Sequence, residues 1–189
     1  MRHGHDELER VGAVEFKLDR VLRKSKVSYS SLYHHFGSRE GFIIALEFER
    51  VLADQMRDME LMRMFLLGSD EPRKVFEAIE FALAVAGEEA GRLRRQHRVE
   101  SLAAASQSRR LRERLAEAQV IGSRHFAETL RLAAEKGVFN ITLPIDGVAY
   151  VVQSLFVGRI LVDITGDKVV DQQWVTTAVA TIRYLLGQE

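Results

Sequence analysis

The sequence contains no cysteine and only two prolines, and its 27 Lys and Arg residues are matched by 27 Asp and Glu residues. The lack of cysteine excludes disulfide scaffolds, thiolate catalysis and cysteine-based zinc sites. A length of 189 residues with 47% hydrophobic residues is enough for a folded core of one or two domains. Because the formal net charge is zero, a polyanionic partner would have to be held by a local basic patch.

The chain also lacks the features of a secreted or membrane protein. Residues 1–10 mix charges of both signs, unlike a secretory signal peptide. Residues 148–162 are the most apolar stretch, but Gln153, Ser154 and Arg159 interrupt them, so this segment is predicted to be too short and too polar to span a bilayer. We therefore expect a cytoplasmic protein without membrane contact.

Apolar residues recur at intervals of three and four along most of the chain, which predicts an all-α fold. Ser38 is the predicted N-cap of a long helix that ends near Gly68. The next helix is expected to start at Pro72 and to end near Gly87. A further helix is predicted over residues 92–105.

Three more helices are predicted in the remainder of the chain. The first begins after the serines at 106–108 and ends before Gly137. Asp146 is the predicted cap of the second, which runs to Ile164, and Asp171 that of the third. Apolar residues cover more than one face of these last two helices, which predicts a subunit interface in a homodimer; the alternative is the central hairpin of a monomer.

Two basic segments stand out in this uncharged chain. Residues 16–39 carry six Lys and Arg residues against one acid, Asp19. Residues 92–114 carry eight arginines, whose spacing is typical of a solvated helix face. The first patch alone would also be interpreted as solvated surface, so its function depends on the motif within it.

That motif is the segment VSYSSLYHHFGSRE at residues 27–40. Ser28 is predicted to cap a short helix whose first exposed residues are Tyr29, Ser30 and Ser31. The apolar side that anchors this helix is predicted to consist of Val27, Leu32 and Phe36. Residues 16–23 form a preceding helix with exposed Lys and Arg, so the two predict a helix-turn-helix.

The words VSYSSLYHHFGSREGF resemble the recognition helix, and the start of the helix after it, in the tetracycline-repressor (TetR) family of bacterial transcriptional regulators. That family pattern is Val-Ser-x-x-Thr-Leu-Tyr-x-His/Tyr-Phe-x-x-Lys-Glu-x-Leu. The resemblance implies that Tyr29, Ser30 and Ser31 meet base edges or phosphates and that Tyr33 and His34 contact the DNA backbone. The full predicted DNA-binding set is Lys17, Ser28, Tyr29, Ser30, Ser31, Tyr33, His34 and Arg39, with Arg39 in place of the family's phosphate-binding lysine.

The sequence departs from the family pattern before and within the second helix, in the turn that follows it and in the first helix. Leu22 stands where the family has a small alanine, and Lys26 stands at a turn position that is usually glycine. Only residues 1–11 are available for the first helix, which is therefore expected to be short or incomplete. The resemblance divides the chain into a DNA-binding domain at 1–45 and a ligand-binding and dimerisation domain at 46–189.

The function implied is a homodimeric repressor that a small-molecule effector releases from a double-stranded DNA operator. The alternative is a dimeric ligand-binding or interaction protein of the same fold with impaired DNA binding. The candidate effector residues, which the family layout places around a core cavity, are His97, His125, Phe126, Gln153, Phe156 and Arg159.

Catalysis, cofactors and metals are not expected. The sequence has no glycine-rich phosphate loop, no placeable Ser-His-Asp arrangement and no paired carboxylates on one apolar helix face, so an enzyme is disfavoured. His34 and His35 are adjacent on a helix and therefore point about 100° apart, which does not suit a shared metal.

Overall fold

The computed structural model describes residues 1–12 and 15–188, and within them the regular structure is entirely helical. Ten helices follow one another in these residues: α1 (Arg2–Val11), α2 (Leu18–Ser25), α3 (Tyr29–Phe36), α4 (Arg39–Leu67), α5 (Pro72–Ala86), α6 (Glu89–Gln107), α7 (Arg109–Glu135), α8 (Ile145–Gly158), α9 (Ile160–Asp163) and α10 (Lys168–Leu185). The all-α prediction is confirmed.

Helices α1 to α3 pack on the first half of α4 and enclose a separate small core. Its buried side chains are Leu8, Phe16, Leu18, Val21, Leu22, Leu32, Phe42 and Leu46. Helix α1 is short, but Leu8 is only 1% exposed, so this helix covers the apolar side of α2 and α4. Leu22 is buried in this core, which therefore accommodates a larger side chain than alanine.

Close packing holds α1 against α4, and a carboxylate oxygen of Glu7 lies 3.7 Å from Arg20 on α2. A Cβ on Gly4 would lie 2.8 Å from side-chain carbons of Phe42 and Leu46, so a larger residue there would force these side chains to shift. The buried carboxylate of Glu7 accepts hydrogen bonds of 2.7 and 3.2 Å from Arg10. These hydrogen bonds are the main reason why the pKa of Glu7 is lowered from its ordinary value.

The larger body is formed by the second half of α4 together with α5 to α10. Its core is a continuous cluster that includes Leu66, Phe76, Leu83, Leu130 and Val152. Helix α4 is 29 residues long and contacts α1 and α3 at one end and α5, α6 and α7 along the rest. The predicted domain boundary at residue 45 thus lies inside a continuous helix.

Several predicted helix boundaries are confirmed. The hydroxyls of Ser28, Ser38 and Ser108 each accept a hydrogen bond from a backbone N–H in the first turn of α3, α4 and α7, as an N-cap does. Gly137 follows α7 with φ 76°, a left-handed conformation that glycine adopts without strain. Helix α6 begins at Glu89, three residues before its predicted start at residue 92.

Two predicted caps are wrong. Helix α8 begins at Ile145 after Pro144, so Asp146 lies in the first turn, where its carboxylate accepts hydrogen bonds of 2.9 and 3.0 Å from Arg131. Helix α10 is capped by Asp167, whose carboxylate accepts from the backbone N–H groups of residues 169 and 170. Asp171 lies within α10 and is paired with Arg159.

The predicted single helix up to Ile164 is also wrong, because the chain breaks between α8 and α9 at Arg159. The Arg159 side chain is fully buried, donates to the Leu83 carbonyl and lies 2.5 Å from an Asp171 carboxylate oxygen. Its guanidinium carbon also lies 4.8 Å from the Trp174 ring centroid. The break is therefore fixed by contacts with two other helices.

An apolar face on α8, α9 and α10 is exposed in the single chain, so these helices are not the fully buried central hairpin of a monomer; the predicted subunit interface stays a prediction. Its largest exposed side chains are Tyr150, Val151, Leu161, Ile164, Val169 and Tyr184. By length and composition alone, the stretch Ile145–Asp163 would be long and apolar enough to cross a membrane, a test that the core helix of a soluble protein also passes. The break and the buried charge of Arg159 within this stretch are features of a packed protein interior.

Candidate DNA interface and effector cavity

Helices α2 and α3 form a helix-turn-helix whose turn is tight. Lys26 ends α2 in a left-handed conformation with φ 57°, in the described part of the chain the only residue other than glycine with positive φ. Ser28 then begins α3, and its hydroxyl accepts from the Ser31 N–H at 3.1 Å. The left-handed residue thus lies in a connection of only three residues, 26 to 28, between the two helices.

The outer side of α3 is polar and open. Tyr29, Ser30, Ser31, Tyr33 and His34 are all exposed, whereas Leu32 is buried beneath them. Val27 is 42% exposed, so its predicted role as an apolar anchor is wrong; it lies in the turn before α3, and Leu32 with the half-buried Phe36 supports the helix instead. The exposed hydroxyl groups therefore project from the outer side of a helix whose inner side is packed against the protein.

Tyr29 and Tyr33 lie side by side on this surface, with ring centroids 5.9 Å apart. The Tyr29 hydroxyl donates to the Asp19 carboxylate on α2. This contact fixes the Tyr29 ring against α2, and it also occupies the hydroxyl that the resemblance directs to a base or phosphate.

A polar cleft runs beside α3 and is lined by several basic side chains. Its lining includes Lys17, Arg20, Arg23, Tyr29, Tyr33 and Arg39, with Asp19 as its one acid. Arg39 donates to the Phe16 carbonyl at 2.7 Å and so ties the start of α4 to the start of α2. The cleft brings together four of the eight predicted DNA-binding residues, at positions 17, 29, 33 and 39; the other four lie on α3 or at its N-cap, outside the lining.

The body contains a cavity of about 350 Å³ between α4, α5, α6 and α8. Pockets that bind small organic molecules have volumes of this order. Its apolar wall includes Met59, Met62, Phe65, Phe156 and Val157. Its polar wall carries Arg50, Asp54, Gln55, Asp58, Arg94, Arg95, His97, Arg98 and Gln153.

An amide network closes the polar end of this cavity. Gln119 on α7 donates to Ser123 and to Gln153 on α8, both at 2.9 Å. Arg98 on α6 donates to the side-chain carbonyl oxygen of Gln119 at 2.5 Å, and Gln55 on α4 lies 2.9 Å from the same atom. Four helices therefore meet through polar side chains at one edge of the cavity.

The structure brings together half of the predicted effector residues. His97, Gln153 and Phe156 line the cavity. Phe126 is buried in the core of the body, His125 lies on α7 outside the lining, and Arg159 is held by Leu83 and Asp171. An effector role for any of the six stays a prediction.

Sequence reasoning missed the arginines of this cavity. The predicted solvated face at residues 92–114 is wrong for Arg94, Arg95 and Arg98, which line the cavity, while Arg109 and Arg110 are exposed as expected. The signal available was their spacing, because residues 91, 94, 95 and 98 fall on one side of a helix, where position 91 is a small glycine. Among residues 1–12 and 15–188, no group of three or more His, Asp or Glu residues is arranged to hold a metal.

Comparisons of the sequence found no match, whereas comparison of the fold with solved structures did. No protein-family model matches the sequence, and no curated protein matches it. Similar solved structures include GusR from Salmonella enterica, with 21% identity, a TM-score of 0.67 and coverage of 98% of this chain and 92% of that one. Reduced NemR from E. coli has 20% identity, a TM-score of 0.62 and coverage of 99% and 95%.

A third similar structure is a TetR transcription regulator from Haloarcula marismortui, with 12% identity, a TM-score of 0.64 and coverage of 98% of this chain and 93% of that one. The similarity thus extends over almost the full length of each protein, from the helix-turn-helix to the last helix. The resemblance carried by the recognition helix and the start of the next helix is confirmed for the whole fold: this chain has the fold of the TetR-family transcriptional regulators.

Proposed function

We propose that this protein is a DNA-binding transcriptional regulator that acts as a homodimer, represses by occupying its operator and is released by a small-molecule effector. The observation that carries the proposal is the outward face of α3, which presents two tyrosines, two serines and a histidine beside a cation-rich cleft. Hydroxyl and aromatic side chains at a helix N-terminus suit base edges and phosphates in a major groove.

The exposed apolar face of α8, α9 and α10 supports the homodimer. Side chains such as Leu161, Ile164 and Tyr184 are each at least 70% exposed in one chain. Several large apolar side chains exposed on neighbouring helices are typical of a protein–protein interface. A two-fold dimer would present two α3 helices to successive major grooves, about 34 to 36 Å apart.

The cavity supports regulation by a small molecule. Helix α4 forms one wall of the cavity and also packs against α3. A ligand in the cavity therefore contacts the same helix that supports the proposed DNA-recognition helix α3. If the ligand prefers one α4 orientation and DNA another, each weakens binding of the other by the same coupling energy. A regulator of this kind acts in the cytoplasm.

The direct test is a mobility shift with duplex DNA selected from a random pool by the protein itself. We expect Tyr33→Ala to weaken binding to all sequences, because a backbone contact carries no sequence information, and Ser30→Ala or Tyr29→Ala to change the preference among sites. Ser106→Ala is the matched control, since its hydroxyl is bound within α6, away from α3.

Salt dependence separates this function from the alternative interaction protein. A DNA-binding regulator loses affinity for DNA steeply as the salt concentration rises. Binding releases the counterions of the DNA phosphates, and this release is most favourable at low salt. Absence of any retention at low salt would exclude a DNA-binding role and favour a dimeric ligand-binding or interaction protein. Equal losses on every sequence from all three α3 variants would contradict the division of roles.

A further inference from the structure

Four arginines line the cavity, and only two of them have a carboxylate partner. Arg50 lies 2.6 Å from the buried carboxylate of Glu47, and Arg95 makes hydrogen bonds of 2.6 and 2.7 Å to the two oxygens of Asp163. Within residues 1–12 and 15–188, neither Arg94 nor Arg98 forms an ion pair. Two positive charges on the cavity wall are therefore uncompensated by contact.

These two arginines lie one turn apart on the same side of α6 and are partly shielded from solvent. Arg98 donates to the neutral carbonyl oxygen of Gln119, which leaves most of its guanidinium without an acceptor. Burial lowers the pKa of Arg98, which means that its surroundings disfavour the charged form of the guanidinium group. A buried charge of this kind is stabilised most by an anion placed beside it.

The acids of the cavity do not balance them. Asp54 lies 3.6 Å from Arg57, and burial raises the pKa of Asp58, although Asp58 is close enough to Arg94 and Arg98 for their charges to lower that pKa by a smaller amount. Apart from Asp58 and the Asp54 carboxylate that is shared with Arg57, Arg94 and Arg98 face no acid among the residues that line the cavity. The inner part of the polar wall therefore has an excess of positive charge.

We propose that the cavity binds an amphipathic organic acid, with its carboxylate between Arg94 and Arg98 and its hydrocarbon part against Met59, Met62 and Phe156. This inference deepens the proposed function, because it names the chemical class of the effector in the same cavity. The guanidinium groups bind the carboxylate through charge-assisted hydrogen bonds, and the apolar wall removes the chain from water.

The test uses three probes with the same ten-carbon chain and different heads: decanoate, decanol and decylamine. Their binding to the full chain without DNA is measured by isothermal titration calorimetry. We expect decanoate to bind about tenfold or more tightly than decanol, because the carboxylate adds hydrogen bonds to charged donors. Decylamine binding as tightly as decanoate, equal binding of the acid and the alcohol, or no binding of any probe would each overturn the proposal.

Variants locate the head group. Arg94→Gln and Arg98→Gln should each weaken decanoate about tenfold and leave decanol unchanged, whereas Arg98→Lys should retain most of the affinity. Arg92→Gln is the matched control, because Arg92 lies on the same helix, is exposed and is outside the cavity lining. If Arg98→Gln does not fold, the Arg94→Gln result decides, and unchanged decanoate binding there contradicts the assignment.

A second measurement separates this inference from the proposed function. DNA retention in a mobility shift is followed with and without decanoate. Retention on DNA combined with no decanoate binding in calorimetry would overturn the ligand class and leave the regulator. Decanoate binding that depends on Arg94, combined with no DNA retention at low salt, would support the ligand class and exclude the regulator.

Discussion

The buried pair of Arg95 and Asp163 permits a quantitative test of how the body is held together. Both side chains are less than a tenth exposed, at 9% and 7%, and the two hydrogen bonds between them measure 2.6 and 2.7 Å. Arg95 also donates to the Ala86 carbonyl at 2.7 Å, so the pair joins the end of α5, α6 and α9. Replacing one partner of such a pair leaves an unpaired buried charge and costs about 3–5 kcal/mol.

We therefore expect Arg95→Met and Asp163→Leu each to lower the free energy of unfolding by about 3–5 kcal/mol. The double variant should recover much of this loss, because two apolar side chains of similar size leave no charge behind. The double-mutant cycle isolates the pair from the separate hydrogen bond to Ala86, because that bond is lost equally in the two variants that contain Arg95→Met.

The cycle is measured by urea unfolding at one fixed protein concentration, because association would make stability depend on concentration. Arg109 and Glu113 provide the matched exposed pair, at 83% and 59% side-chain exposure. Their coupling energy should be about 0.3–0.5 kcal/mol. A coupling energy for Arg95 and Asp163 no larger than that of the exposed pair would refute the argument that burial makes this contact strong.

Three further changes test the DNA-binding domain by urea unfolding. Gly4→Ala should cost about 1–3 kcal/mol through overpacking between α1 and α4, whereas Gly147→Ala in α8, with one atom at 4.0 Å, should not destabilise; equal effects would contradict the close approach. Ser28→Ala should cost about 1 kcal/mol through loss of the α3 cap, and an unchanged midpoint would argue against that cap. Because the folded-state pKa of Glu7 is lowered, its ionised form stabilises the fold above its ordinary value of 4.5, and this contribution is lost as pH falls through the folded-state value. The stability difference between wild type and Glu7→Gln should therefore be largest near neutral pH and narrow under acid conditions; a difference independent of pH would contradict the linkage.

Features that depend on a few neighbouring residues were predictable from the sequence. Ser28, Ser38 and Ser108 cap helices because a serine hydroxyl can reach an N–H only three residues away. The exposed side of α3 follows from helical spacing around Leu32 in the same way. Local geometry alone decides such features, and short sequence patterns contain that information.

Features that depend on distant residues were not predictable. The break at Arg159 requires an acceptor at Leu83 and a carboxylate at Asp171, which lie in other helices. Asp167 and Asp171 are both plausible caps by type, and only the position of Arg159 decides that Asp171 is used for an ion pair. The spacing of the α6 arginines shows only that residues 91, 94, 95 and 98 share one side of the helix, and the placement of α4 and α8 makes that side a cavity wall.

The 29 residues of α4 have a mechanical consequence. At a rise of 1.5 Å per residue this helix is a rod about 44 Å long, and a tilt of about 3° around its midpoint moves each end by about 1 Å. Sub-ångström adjustments near Met59 thus become comparable displacements near Phe42 without any unfolding in between. Ala53 is exposed close to the midpoint, and a proline there would introduce a flexible joint into the rod. Both ends of α4 would then keep their own contacts but lose their fixed mutual orientation. A displacement at the cavity end of the helix would no longer move the end that supports α3.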